Sequence, residues 1–149
     1  MVGRLQDKIA LVVGAGSVGP GWGNGKAAAV LFAREGAKVV CADVNEDAAN
    51  ETVQIIRQEN GMANAVRADV SSHDDIRGMV DACLDVYRRI DVVDYNVGLA
   101  HLGGVVELPE EEWDRIFAVN PKCCFLTMKH VIPMMKAYPV VPGYSTFSV

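Results

Sequence analysis

Six glycines fall within twelve residues, Gly14-Ala-Gly-Ser-Val-Gly-Pro-Gly-Trp-Gly-Asn-Gly25. Before them stands an apolar run at 8–13, KIALVV, too short and too β-branched for a helix. After them comes an alanine-rich helical pattern from Lys26. A glycine turn between a strand and a helix leaves backbone amides bare. It also aims the positive end of a helix at whatever lies in the turn, which suits a pyrophosphate. Two alignments are open. Gly14, Gly16 and Gly19 match G-x-G-x-x-G directly. Alternatively, Gly14 makes the turn, and Gly23 and Gly25 open the helix after a longer loop. Pro20 and Gly21 are poor residues for a helix body, which favours the second alignment. The acid expected about 20 residues on points the same way. Asp43 lies 20 residues after Gly23 and 24 after Gly19.

The same alternation continues along the chain. Residues 38–43, 63–69 and 91–96 read as strands. Helical patterns occupy 26–35, ending at Gly36, and 46–60, stopping at Gly61. A third, 72–89, opens on Ser72-x-x-Asp75, a capping-box variant, and a long fourth spans 109–137. Strands alternating with helices predict an α/β, doubly wound parallel sheet, truncated after about four strands in the order 3-2-1-4. Residues 1–137 read as an incomplete domain. Residues 138–149, with two prolines and a glycine, read as an irregular tail. Strand four is then expected to be a bare edge, blunted by Asp94 and Tyr95, on a chain prone to association.

Composition excludes several classes. Lys and Arg total 14 against 19 Asp and Glu, net −5, so no basic stripe awaits nucleic acid. No apolar run reaches the roughly 20 residues of a membrane span, and no leader precedes the first charges. Cys41, Cys83, Cys123 and Cys124 form no C-x-x-C pair and read as reduced core thiols of a cytoplasmic protein. His73, His101 and His130 show no ligand spacing, so no metal site is expected. Glu110, Glu111 and Glu112 suit a helix N-terminus, and Trp22 is expected to pack rather than bind. Asp43 ends the second strand, where a carboxylate accepts both ribose hydroxyls of NAD and repels the 2′-phosphate of NADP. No basic residue follows at once; Val44, Asn45 and Glu46 do.

These pieces resemble the short-chain dehydrogenase/reductase family in the family's own order. They are the turn Gly14 to Gly25, Asp43, Asp69-Val70, Asn96-Val97-Gly98 and Phe117-Ala-Val-Asn120, within about residues 5–136. The resemblance implies an NAD(P)-binding Rossmann fold. It implies that Gly14, Gly23, Gly25 and Asp43 hold the cofactor, with Asp69 and Val70 at the adenine. Asn96 and Gly98 would lie beside the nicotinamide-side ribose, and Asn120 would hold a water in the proton relay. Independently, Asp69, Asn96 and Gly98 follow carboxyl ends of strands, where such sheets bind ligands. Asn120 is also a poor residue for a helix interior.

The sequence departs from the family in several places. Asn24 stands between the second glycine pair, and the glycine loop is longer than usual. Asp94 puts a carboxylate in a strand that should be buried, and Pro121 follows Asn120 inside a predicted helix. The family's proton transfer needs a strand serine and a Tyr-x-x-x-Lys pair. Four residues after Tyr87, Tyr95, Tyr138 and Tyr144 stand Asp91, Leu99, Pro142 and Ser148, none a lysine. The match dissolves near residue 137, which reads as a disrupted reading frame. The implied function is hydride transfer between NAD and a small carbonyl or secondary-alcohol substrate. This chain would represent only the cofactor half, with little turnover of its own, and the completed domain would be a homo-oligomer. A non-catalytic dinucleotide-binding or interaction protein is the alternative. An S-adenosylmethionine methyltransferase is a remote one, because Val12 and Val13 stand where an acid usually precedes the first glycine.

Overall fold

In a computed structural model, which describes residues 3–137 and 147–148, the apolar run becomes β1 (Ile9–Val13), buried along its whole length. Then follow α1 (Asn24–Arg34), β2 (Lys38–Asp43), α2 (Glu46–Gln58), β3 (Met62–Arg67), α3 (His73–Tyr87) and β4 (Val92–Tyr95). After these come α4 (Glu110–Phe117), a π-helical turn (Ala118–Lys122), α5 (Cys123–Ala137) and a two-residue β5 (Phe147–Ser148). The strands run parallel in the order β3-β2-β1-β4-β5.

The period-two alternation of β1 divides the interior. Ile9, Leu11 and Val13 face a core built with Ile76, Met79 and Cys83 of α3 and Val131 and Met135 of α5. Ala10 and Val12 face a second core with Ala29 and Val30 of α1 and Val53 and Ile56 of α2. Helices therefore cover both faces, as a doubly wound sheet requires, and β1 at the centre is apolar at every position.

Local signals set the boundaries. Asn45 caps α2 by accepting from the Asp47 and Ala48 amides, and Ser72 caps α3 by accepting from the Asp75 amide. Gly36 takes a left-handed conformation after α1 (φ 93°). At the end of α2 the left-handed residue is Asn60 (φ 64°), not Gly61. Gly61 is needed for space instead, since a Cβ there would lie 2.7 Å from Ile56 Cγ2.

Three expectations are corrected. The long helix at 109–137 is interrupted at Ala118–Lys122, where the wider π turn accommodates Pro121, which has no N–H to donate. There the Cys123 thiol donates to the Ala118 carbonyl (2.8 Å). The edge of β4 is not bare: Val93 and Asp94 pair with Phe147 and Ser148. Asp94 and Tyr95 do not blunt it, since both are buried. Residues 138–146 and 149 of the expected tail lie outside the described residues. All four cysteines are free, and burial pushes Cys41 and Cys83 up to about 12, so they pack rather than react. No helix among the described residues is long and apolar enough to cross a membrane.

Candidate functional site

Parallel strands bring all their carboxyl ends to one edge. There the glycine turn after β1, Asp43 at the end of β2, Asp69 after β3 and Asn96 after β4 converge. The chain runs from β1 toward β2 on one side and places β4 on the other, so the turn sits at the topological switch. The Asn96 amide donates to the Val13 carbonyl (2.7 Å), tying the two strand ends together.

The second glycine alignment describes the turn. Gly14 is left-handed (φ 80°), and its amide donates to Ala42 O (2.8 Å). Gly23 is the N-cap of α1. A Cβ on Gly25 would lie 1.9 Å from Gly14 O, so only glycine lets the helix start this close to the strand. A Cβ on Gly19 would meet nothing within 4 Å. The inserted loop is held from within. Ser17 Oγ accepts from the Gly23 amide (2.9 Å) and donates to Gly21 O (3.2 Å). Buried Lys26 reaches Gly21 O (3.3 Å) and Glu51 (2.6 Å). Trp22 does not pack into the core as expected. It is exposed, and Lys26 Nζ lies 5.5 Å from its ring centre.

Asp43 and the turn are directly connected. Asp43 Oδ2 accepts from the Gly16 amide (2.9 Å), and Oδ1 accepts from the Asn45 amide (2.9 Å). A Cβ on Gly16 would fall 2.7 Å from Ala48 Cβ and 2.9 Å from Asp43 Oδ2. Gly16 was set aside with the first alignment, yet this approach requires it.

On the β3 side, Asp69 accepts from the Ser71 hydroxyl (2.6 Å) and amide (2.9 Å), which hold its carboxyl below the usual range. The Asp69 amide donates to Asp75 Oδ2 (3.0 Å), so an acid in the first turn of α3 also fixes this loop. Val70 is buried in the α3 core.

On the β4 side, Asn96 Nδ2 is buried with no hydrogen-bond partner. Burial raises the pKa of the Asp94 carboxyl. The Asn96 amide opposes that shift without the length and angle of a true hydrogen bond. Gly98 lies against Asn120: a Cβ there would be 3.8 Å from Asn120 Oδ1. Asn120 Oδ1 accepts from the Leu99 amide (2.7 Å), and its Nδ2 donates to Leu99 O (2.8 Å). All nine candidate residues thus lie on or beside the loops at one sheet edge. What sequence reasoning missed are the tethers Gly16, Ser17, Lys26, Asp75 and Leu99. Of these only Asp75 carried a signal, through the capping box.

The model of the short chain dehydrogenase family matches residues 8–140. The chain belongs to that family. It is 38% identical over 138 residues to a cyclopentanol dehydrogenase of a Comamonas strain, covering 92% of this chain and 53% of the relative. Its fold matches the solved hydroxysteroid dehydrogenase of Escherichia coli with a TM-score of 0.82 at 32% identity, over 90% of this chain and 55% of that one. A 7α-hydroxysteroid dehydrogenase, solved with NADH and 7-oxo glycochenodeoxycholic acid, gives 0.82 at 32% identity, over 90% and 50%. The chain spans about half the length of the curated relatives it matches. Proteins of this short-chain dehydrogenase family are oxidoreductases that use NAD(P).

Proposed function

We propose that this short-chain dehydrogenase chain is the NAD-binding part of an oxidoreductase. The reaction would be hydride transfer between NAD and a small carbonyl or secondary-alcohol substrate. The observation that carries the cofactor choice is Asp43. Its carboxylate ends β2, is tethered to Gly16 of the glycine turn, and has no basic side chain next to it in sequence. A carboxylate here favours two ribose hydroxyls over a 2′-phosphate.

The residues present fit a dinucleotide. Gly14 and Gly25 let α1 start against the turn at a distance that a Cβ would forbid, which turns the start of α1 toward the sheet edge, and Asn96 Nδ2 is a buried donor that lacks a partner. Gly14, Gly23, Gly25 and the start of α1 would hold the pyrophosphate. Asp43 would hold the adenine-side ribose, Asp69 and Val70 the adenine, and Asn96 and Gly98 the nicotinamide-side ribose. Bound NAD supplies the hydride acceptor, and NADH the donor. Asn120 would orient a water for the proton relay. Both polar atoms of its side chain engage Leu99, each with remaining capacity for one more hydrogen bond.

No tyrosine here is followed four residues on by lysine, so the 149 residues alone should turn over little. The same fact supports the second reading, a dinucleotide-binding protein without catalysis. Trp113 stacked on Phe117 (4.4 Å) and exposed Phe125 leave an apolar helix face, which supports a homo-oligomer. Four unbridged thiols support a cytoplasmic setting.

Titration calorimetry with NADH and NADPH tests the cofactor reading. NADH should bind roughly tenfold or more tightly than NADPH, and Asp43→Ala should erase that preference. Equal or reversed preference in the wild-type chain, or no binding of either, would overturn it. Hydride transfer by the purified chain would remove the second reading.

A further inference from the structure

Two of the three histidines, 57 positions apart in sequence, meet in space. His73 opens α3 and His130 lies midway along α5; their Nε2 atoms are 3.2 Å apart and their ring centres 5.0 Å apart. Both rings lie on the exposed side of the α3–α5 contact. Two imidazole nitrogens bound to one zinc ion at 2.0–2.1 Å, at a tetrahedral angle, stand about 3.3 Å apart. The observed separation is therefore already that of two neighbouring ligands on one ion.

We propose that His73 and His130 form a two-point chelate for a divalent transition ion such as zinc, clasping α3 to α5. Each ring would coordinate through Nε2 and keep its proton on Nδ1. Among the described residues no third histidine, cysteine or carboxylate completes a cluster, so water fills the remaining positions. Asp74 and Asp75 in the first turn of α3 offset the positive end of that helix, which would otherwise disfavour a cation. Imidazole selects zinc, copper, nickel or cobalt over magnesium and calcium, which prefer oxygen. The chelate would anchor the start of α3, four residues after Asp69, to the helix that follows Asn120.

Calorimetric titration of the 149-residue chain with zinc chloride, and separately with magnesium chloride, tests this at neutral pH. The expected result is saturable binding of one zinc ion per chain and none of magnesium. His73→Gln and His130→Gln should each weaken zinc binding roughly tenfold or more, and His101→Gln should leave it unchanged. On the unaltered chain, zinc should shift the imidazole nitrogen resonances of His73 and His130 together. Wild-type zinc affinity in either His73→Gln or His130→Gln would overturn the proposal. So would zinc shifts confined to His101, or no saturation up to about 1 mM zinc, where any chelate worth the name should be filled.

Discussion

Asn120 clamps Leu99: its side-chain amide accepts from the Leu99 amide at 2.7 Å and donates to the Leu99 carbonyl at 2.8 Å. The pair joins the π-helical turn to the loop leaving β4, and it brings Asn120 beside Gly98. An asparagine that disfavours a regular helix thus sits where the helix is already irregular, and spends its side chain on a neighbouring loop.

Asn120→Ala should therefore act on stability as well as on chemistry. Two hydrogen bonds and the stranded Leu99 groups make a loss of about 1–3 kcal/mol, read by urea denaturation. Asn120→Asp keeps the acceptor for the Leu99 amide but sets a carboxylate against the Leu99 carbonyl, so it should not rescue. NADH affinity should fall in both, because the Asn96–Leu99 loop loses its clamp. Unchanged stability in Asn120→Ala would mean that the clamp is not energetically significant.

The two glycine alignments make opposite predictions. Gly25→Ala places a Cβ 1.9 Å from Gly14 O, so the helix must withdraw from the turn. The expected cost is about 1–3 kcal/mol or more, with NADH binding weakened at least tenfold. Gly19→Ala meets nothing within 4 Å and should stay within about 0.5 kcal/mol of wild type. Equal effects at both positions, measured by calorimetry and thermal melts, would return the argument to the direct G-x-G-x-x-G reading.

The architecture was legible because period and punctuation agreed. The β1 run, the αL glycine at Gly36 and the Ser72 cap each specified an element, and Asp43 spaced from Gly23 chose the glycines at which α1 begins. The misreadings have physical causes. Pro121 argues against an α-helix but says nothing of a π turn, whose hydrogen bonding is set by its neighbours. Trp22 is expected to pack, yet it stands exposed in the glycine loop with Lys26 beneath its ring. Asn60, not Gly61, took the left-handed conformation because short polar side chains tolerate it. The tethers from Gly16 to Asp43 and from Lys26 to Glu51 join distant residues by hydrogen bonds, which leave no periodic trace in a sequence. The same holds for His73 and His130.

Asp94 gives a pH test. It is 6% exposed, no ion pair engages it among the described residues, and burial raises its pKa. The folded chain then holds this proton more tightly than the unfolded one. Stability should fall as pH rises from about 4, the unfolded value, through the raised folded value, and the cost then persists at neutral pH. Asp94→Asn removes the charge and keeps the shape. It should raise Tm at pH 7 by roughly 2–4 °C, the shift that about 1 kcal/mol produces at this size. The gain should shrink as the pH is lowered toward about 4. A loss of Tm at pH 7 would mean that the carboxylate is used, not merely tolerated.

Lys26 tests what holds the inserted loop. It is 3% exposed at the first turn of α1, bound to Glu51 at 2.6 Å and to the Gly21 carbonyl at 3.3 Å, beneath Trp22. A buried ammonium at a helix N-terminus opposes the helix dipole, so its partners must offset that. Lys26→Met keeps the volume and removes both contacts. Amide hydrogen exchange across residues 17–23 should accelerate, and NADH affinity should fall as the loop loosens. Glu51→Gln should do less, because the Glu51 side chain is 64% exposed and Lys26 keeps its bond to Gly21. If Lys26→Met left loop exchange unchanged while Ser17→Ala accelerated it, the serine bridge alone would govern the loop.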